Sequence, residues 1–174
     1  MGNTISLSGQ LQHIVKPLHM SNGMTSVFLE VLVLSGSILA QTNREKELVI
    51  WLAQHDQAIL GIGTVGFEID EMAWTVDDFE AEKHFMLRII CSAIEGLGWE
   101  RLDYKPNQEQ VASCLKTFAD MISVFEQKYV QMDNYLEWSK VEENEQYPTI
   151  SVGYPQCEIH GIYLFCFGCM ICNS

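Results

Sequence analysis

With 174 residues, 48% of them hydrophobic, the chain is long enough for one well-packed domain plus a small appendage and is too apolar to be a disordered segment. Its net charge of −13, from 23 acidic and 10 basic residues, argues against nucleic acid as a partner, because phosphate binding draws most of its affinity from Lys and Arg. Six cysteines would suit a disulfide framework, but four cluster at ligand spacing near the end and no charged-then-apolar leader opens the chain, so a reducing cytoplasm is the expected compartment.

In chain order, Met1-Gly2-Asn3-Thr4-Ile5-Ser6 fits an N-myristoylation pattern. Lys16 is the only basic residue before Arg44, so the basic patch that would make one acyl chain an effective anchor is missing, and the match is read as accidental. The first seventy or so residues then predict β structure: Ile5 to Leu11 alternates, Ser26 to Ser35 is rich in Val and Leu, and Glu47 to Gln54 and Ala58 to Ile69 repeat the theme. Ser21-Asn22-Gly23, Thr42-Asn43-Arg44 and His55-Asp56-Gln57 read as turns between them, which favours an antiparallel meander of about four strands. The apolar run Val27 to Ala40 is too short to span a bilayer and contains Glu30, so no membrane segment is expected.

Two helices follow. Thr75 or Asp77 can cap the first, Asp78, Glu80 and Glu82 complement its dipole, and Gly96 or Gly98 ends it. The second begins after Pro106-Asn107 and carries Val111, Leu115, Phe118, Ile122 and Phe125 as one apolar stripe. Trp99 to Tyr104 is expected to add an edge strand between them. The fold class is therefore α+β: an antiparallel sheet covered by two helices over residues 1–138, an acidic linker at 139–147, and a small metal-binding segment at 148–174.

Several catalytic signals fail on their context. Gly61-Ile62-Gly63-Thr64-Val65-Gly66 matches G-x-G-x-x-G but does not lead directly into a helix, so the dipole that would hold pyrophosphate is missing and the glycines are expected to permit a bulge or close packing. His55-Asp56-Gln57 lacks the Glu of a zinc deaminase. Glu68, Asp70, Glu71, Asp77, Asp78, Glu80 and Glu82 match no Ca2+ or Mg2+ loop. An acidic surface interrupted by Met72 and Trp74 instead has the composition of a protein-binding patch, with Glu68, Asp70, Glu71, Trp74, Asp77 and Asp78 as its candidate residues and a basic protein as its candidate partner.

The chemistry is stated most plainly at the end of the chain. Cys157, His160, Cys169 and Cys172 form C-x2-H-G-I-Y-L-F-C-F-G-C-x2-C, in which each x2 spacing lets two side chains on one tight knuckle point at the same ion. Ile162 to Phe167 is expected to be a strand that carries the second knuckle over the first. Three thiolates and an imidazole suit tetrahedral Zn2+. Cys166 creates a second x2 spacing, as in half of an iron–sulfur ligand run whose fourth ligand and trailing Pro are missing, and is expected to pack in the strand. This segment resembles the short zinc-ribbon endings of many bacterial and phage proteins, including the Gly after the histidine (Gly161), the aromatic Tyr163 and the Gly before the second pair (Gly168). Zinc ribbons often bind nucleic acid, yet residues 148–174 contain no Lys or Arg, which points to a structural role for the metal.

Small, acidic, cytoplasmic α+β chains of this kind, without a catalytic constellation, resemble in type the immunity proteins that bacteria pair with polymorphic toxins, whose toxic domains are often basic nucleases. That resemblance implies an interaction protein and not an enzyme. Two other readings stay open from the residues alone: an enzyme or enzyme subunit built on an unrecognised carboxylate site, and a zinc-ribbon adaptor that docks another protein through Tyr163, Phe165 and Phe167.

Overall fold

The computed structural model describes residues 3–140 and 146–174. Met1-Gly2 and residues 141–145, the middle of the expected linker, lie outside the described residues. The architecture is α+β, with helices α1 (Asn22–Leu39), α2 (Asn43–Ala53), α3 (Phe79–Ile94), α4 (Gln108–Val124) and α5 (Met132–Ser139). Strands β1 (Asn3–Ser6), β2 (Leu18–Met20) and β5 (Phe67–Glu68) form one sheet in the order β2-β1-β5, and β3 (Asp56–Gln57) pairs with β4 (Gly63–Thr64) in a second.

The expected four-stranded antiparallel meander does not form: two of its strands are helices, and Ile5 to Leu11 and Ala58 to Ile69 keep only short strands (in β1, β4 and β5) beside 3-10 turns at Gly9–Leu11 and Ala58–Leu60. Ser26 to Ser35 lies inside α1 and Glu47 to Gln54 is nearly all in α2. A buried apolar run has no polar face to betray its period, so a helix enclosed by other helices reads like a buried strand. Two of the three expected turns are the N-caps of these helices, where the Ser21 hydroxyl accepts from the Met24 N–H at 3.1 Å and Thr42 and Glu45 form a capping box, while the third, His55-Asp56-Gln57, leads into β3. With α1 and α2 inserted between β1 and β5, the two strands meet in parallel, as a crossover through helices requires. Trp99 to Tyr104 forms a short 3-10 turn at Trp99–Arg101 in place of an edge strand.

α1 is the centre of the molecule and lies against α2, α3 and α4. It is long and apolar enough to cross a membrane by length and composition, but Phe28, Leu29, Val31, Leu32, Val33 and Leu34 are all fully buried within this chain. Phe28 meets Phe118 of α4 edge-on at 5.3 Å. Each such side chain contributes roughly 1.5–3 kcal/mol of burial. Glu30 is enclosed in the same helix, where the Tyr104 hydroxyl donates to its carboxylate and burial raises its pKa.

α3 and α4 match their expected positions. Asn107 caps α4 by accepting from the Gln110 N–H at 3.1 Å, and Gly96 follows α3 in a left-handed turn (φ 88°). The start of α3 differs: Asp78 holds the cap position, while the Thr75 N–H and hydroxyl both donate to the carboxylate of Glu82. Glu82 in turn faces Arg44, which also meets Glu47 and lies 4.3 Å over the Tyr135 ring, so one guanidinium ties α2, α3 and α5 together. The G-x-G-x-x-G run opens no α-helix; Gly61 ends the 3-10 turn Ala58–Leu60 in the left-handed region (φ 75°). A Cβ at Gly66 would fall 2.2 Å from the Thr4 carbonyl oxygen, so this glycine permits the close approach of β1.

Candidate metal centre

Cys157, His160, Cys169 and Cys172 converge, with their ligand atoms all within 4.8 Å of one another. His160 Nδ1 lies 3.7, 3.6 and 3.3 Å from the sulfurs of Cys157, Cys169 and Cys172, and the Cys157 and Cys172 sulfurs are 3.7 Å apart. Two similar knuckles produce this arrangement. In the first, the His160 N–H donates to the Cys157 sulfur at 3.4 Å and the Gly161 N–H to the Cys157 carbonyl at 2.8 Å. In the second, the Cys172 N–H donates to the Cys169 sulfur at 3.4 Å and the Asn173 N–H to the Cys169 carbonyl at 3.1 Å. Backbone donors aimed at sulfur favour the thiolate, the form that binds metal.

The three thiols of the cluster are shifted from their ordinary values in different directions. Burial works against a thiolate at Cys157, but the His160 and Ile159 backbone N–H groups and the His160 ring outweigh it and bring the thiol down to about 6. At Cys169 burial dominates and pushes the thiol up to about 12. Three thiols facing one imidazole in a half-buried cluster cannot all ionise unless a cation joins them. Cys166 is not among the converging groups.

The expected strand Ile162 to Phe167 is reduced to isolated bridges, Gln156 with Tyr163 and Phe165 with Gly168. What orders the segment besides the cluster is its seat on the helices. Ile162, Tyr163, Phe165, Met170 and Ile171 are buried in the same core as α1 to α4. The Tyr163 N–H donates to the Ser37 hydroxyl of α1 at 3.2 Å, the Tyr154 hydroxyl donates to Glu47 of α2 at 3.3 Å, and Arg101 donates to the His160 carbonyl at 3.1 Å. Arg101 also closes over Gly161 (φ 67°), where a Cβ would sit 2.6 Å from its guanidinium. No spacing in the sequence announces Ser37, Glu47 or Arg101 as supports of this segment.

The acidic candidates divide. Glu68, Glu71, Asp77 and Asp78 are exposed, and Asp70 is half-buried with its Oδ1 shut off from solvent and without a hydrogen-bond partner among the described residues. Trp74 is corrected as a surface anchor: it is 1% exposed, its indole N–H donates to the Ile69 carbonyl at 2.8 Å, and its ring packs against Phe79 and Phe125. Met72 is buried as well. The chain between the acidic side chains turns its apolar residues inward, a choice that composition does not reveal. Of the aromatic adaptor residues, Tyr163 and Phe165 are buried and only Phe167 is exposed.

His55 is packed against the core beside α2. Its Nδ1 lies 2.9 Å from the Trp51 carbonyl, the ring packs on Trp51 and Phe67, and burial lowers its pKa to about 4.

Compared with known protein families, with curated proteins and with solved structures, the chain matches none.

Proposed function

We propose that the protein is an acidic cytoplasmic interaction protein whose C-terminal segment is fastened by a structural zinc ion, and that its partner is a basic protein domain, of the kind carried by bacterial toxins that immunity proteins neutralise. The observation that carries the zinc reading is the geometry of the cluster. Zn–S and Zn–N bonds of about 2.3 and 2.0 Å at tetrahedral angles imply S···S and S···N edges of roughly 3.8 and 3.5 Å. The 3.7 Å contact between the Cys157 and Cys172 sulfurs and the three of 3.3 to 3.7 Å from sulfur to Nδ1 match those edges, and all four ligand atoms lie within 4.8 Å of one another. All four positions are filled by the chain, so none is left for a substrate, as in a structural and not a catalytic site.

The partner reading is supported by charge. Glu68, Glu71, Asp77, Asp78 and Glu80 are exposed within one short stretch, in a chain of net charge −13. Such a surface steers a basic partner at long range.

Elemental analysis of the purified protein should find about one zinc per chain without iron–sulfur absorbance. The partner is tested with the basic C-terminal domain of a secreted protein encoded beside this gene. Association should be fast at low salt, slow markedly as salt rises, and slow further in Asp77→Lys/Asp78→Lys. A protein that associates with no such domain, or does so independently of salt, is not the interaction protein described here.

A further inference from the structure

The four ligands of the metal centre are not equally placed. Cys172 is exposed, Cys157 and His160 are half-buried, and Cys169 is only 6% exposed. The more accessible sulfurs, those of Cys157 and Cys172, lie 3.7 Å apart although they come from different knuckles, 15 positions apart in the chain. A disulfide of about 2.05 Å needs these two sulfurs to close by roughly 1.6 Å. The Cys169 sulfur is held on the buried side of the cluster, where it accepts the Cys172 N–H at 3.4 Å. The segment also has seats that do not pass through a metal: the Tyr163 N–H on the Ser37 hydroxyl and the Arg101 guanidinium on the His160 carbonyl. Both seats fall between Cys157 and Cys172, so a bond between those cysteines closes the loop that carries them.

We propose that hydrogen peroxide converts Cys157 and Cys172 into a disulfide that takes the place of the metal as the staple of this segment, so that oxidation releases zinc while residues 148–174 stay seated on α1. The proposal rests on the zinc reading of the cluster and adds its regulation by oxidant. The exposed Cys172 thiolate attacks one peroxide oxygen, which breaks the O–O bond and leaves a sulfenic acid and hydroxide. The Cys157 thiolate then attacks the Cys172 sulfur, forms the S–S bond and expels a second hydroxide. With two protons taken up, two thiolates and one peroxide become one disulfide and two waters. Cys169 and His160 remain, and two ligands do not hold a tetrahedral Zn2+. The new crosslink restricts the unfolded states of the segment as the metal did.

The test titrates the zinc-loaded full chain with hydrogen peroxide and follows zinc release with a chromogenic chelator, free thiols by colorimetry, and disulfide pairing by peptide mapping in a mass spectrometer. Zinc should leave as two of the six thiols are lost, the lost pair should map to Cys157 and Cys172, and dithiothreitol with added zinc should reverse both changes. Cys91→Ser removes an exposed thiol outside the cluster and should leave this course unchanged. Limited proteolysis then compares the zinc-loaded, oxidised and chelated reduced forms. Cleavage within residues 148–174 should be at least about tenfold slower in the oxidised, zinc-free form than in the chelated reduced form. A disulfide mapped to any other pair or between chains, or an oxidised form cut as fast as the chelated one, would overturn the staple. The zinc reading fails separately: protein that purifies without metal, yet forms the Cys157–Cys172 bond and gains protection from it, keeps the staple and removes the zinc.

Discussion

The helical core and the C-terminal segment reach order by different routes. In α1 to α4 the buried positions are apolar and continuous, and Phe28, Leu48, Ile89 and Phe118 are fully enclosed. From Pro148 onward no helix forms, pairing is limited to isolated bridges, and Val152 and Ile159 stand exposed. The segment depends on a cluster of four ligands and on a few side chains seated on α1 and α2. A sequence this short cannot bury enough surface alone, so the converging Cys/His cluster and the docking on the helices stand in for the core it lacks. The comparison also shows that the segment is not an independent appendage, since Ile162 and Met170 belong to the same core as the helices.

The largest expected effect comes from removing the metal. If the cluster holds the proposed zinc, chelation or Cys169→Ser should release it and make residues 148–174 protease-sensitive, while far-UV circular dichroism keeps the helical signal of α1 to α4. Because Ile162, Tyr163 and Phe165 are buried in the common core, release should also expose apolar surface, read as increased binding of a hydrophobic dye. If the helices melt with the metal, the two regions are one cooperative unit and the contrast between them disappears.

A smaller effect, within the core alone, is expected from Arg44→Ala. It leaves Glu47 and Glu82, 8% and 1% exposed, without their cation and should cost about 3–5 kcal/mol by urea unfolding. Zinc content should be unchanged in the folded fraction. Loss of zinc in this variant would show that the Tyr154 bond to Glu47 carries the metal segment's order as well.

The smallest effect is a pH dependence confined to the core. His55 has a folded pKa of about 4 against an ordinary value near 6.5, so the unfolded chain binds the extra proton between these limits. Its contribution to stability is therefore fully present above about pH 6.5 and is lost as pH falls towards 4, at up to about 1.4 kcal/mol per pH unit. The difference in stability between the wild type and His55→Asn, followed from pH 7 to pH 5 in the zinc-loaded protein, should fall with that sign. A flat difference would place the imidazole in water.

Legibility in the sequence followed how local each interaction is. The Cys157–His160 and Cys169–Cys172 knuckles were readable because each pair's geometry closes within one turn of chain; Gly161 takes the left-handed backbone that ends the first, and Gly168 the one that closes the Phe165–Gly168 turn leading into the second. α4 was readable because one face is wet and the apolar stripe keeps its period, from Val111 to Ile122. α1 was misread as a strand because other helices enclose it and remove the polar face. Its length and the Ser21 cap, like the Thr42–Glu45 capping box of α2, were signals of helix that the Val- and Leu-rich composition masked.

What the sequence determined by itself is the ligand set, the acidic charge and the amphipathic helices, because each depends on residues a few positions apart or on a sum over the chain. Only the tertiary structure decided that Trp74 faces inward, that β1 and β5 run in parallel, that Asp70 borders a cavity, and that Ser37, Glu47 and Arg101 hold the metal segment in place. Those facts join residues up to 126 positions apart in the chain, as Ser37 and Tyr163 are. No local spacing encodes them: they follow from which apolar surfaces exclude water together when the whole chain packs.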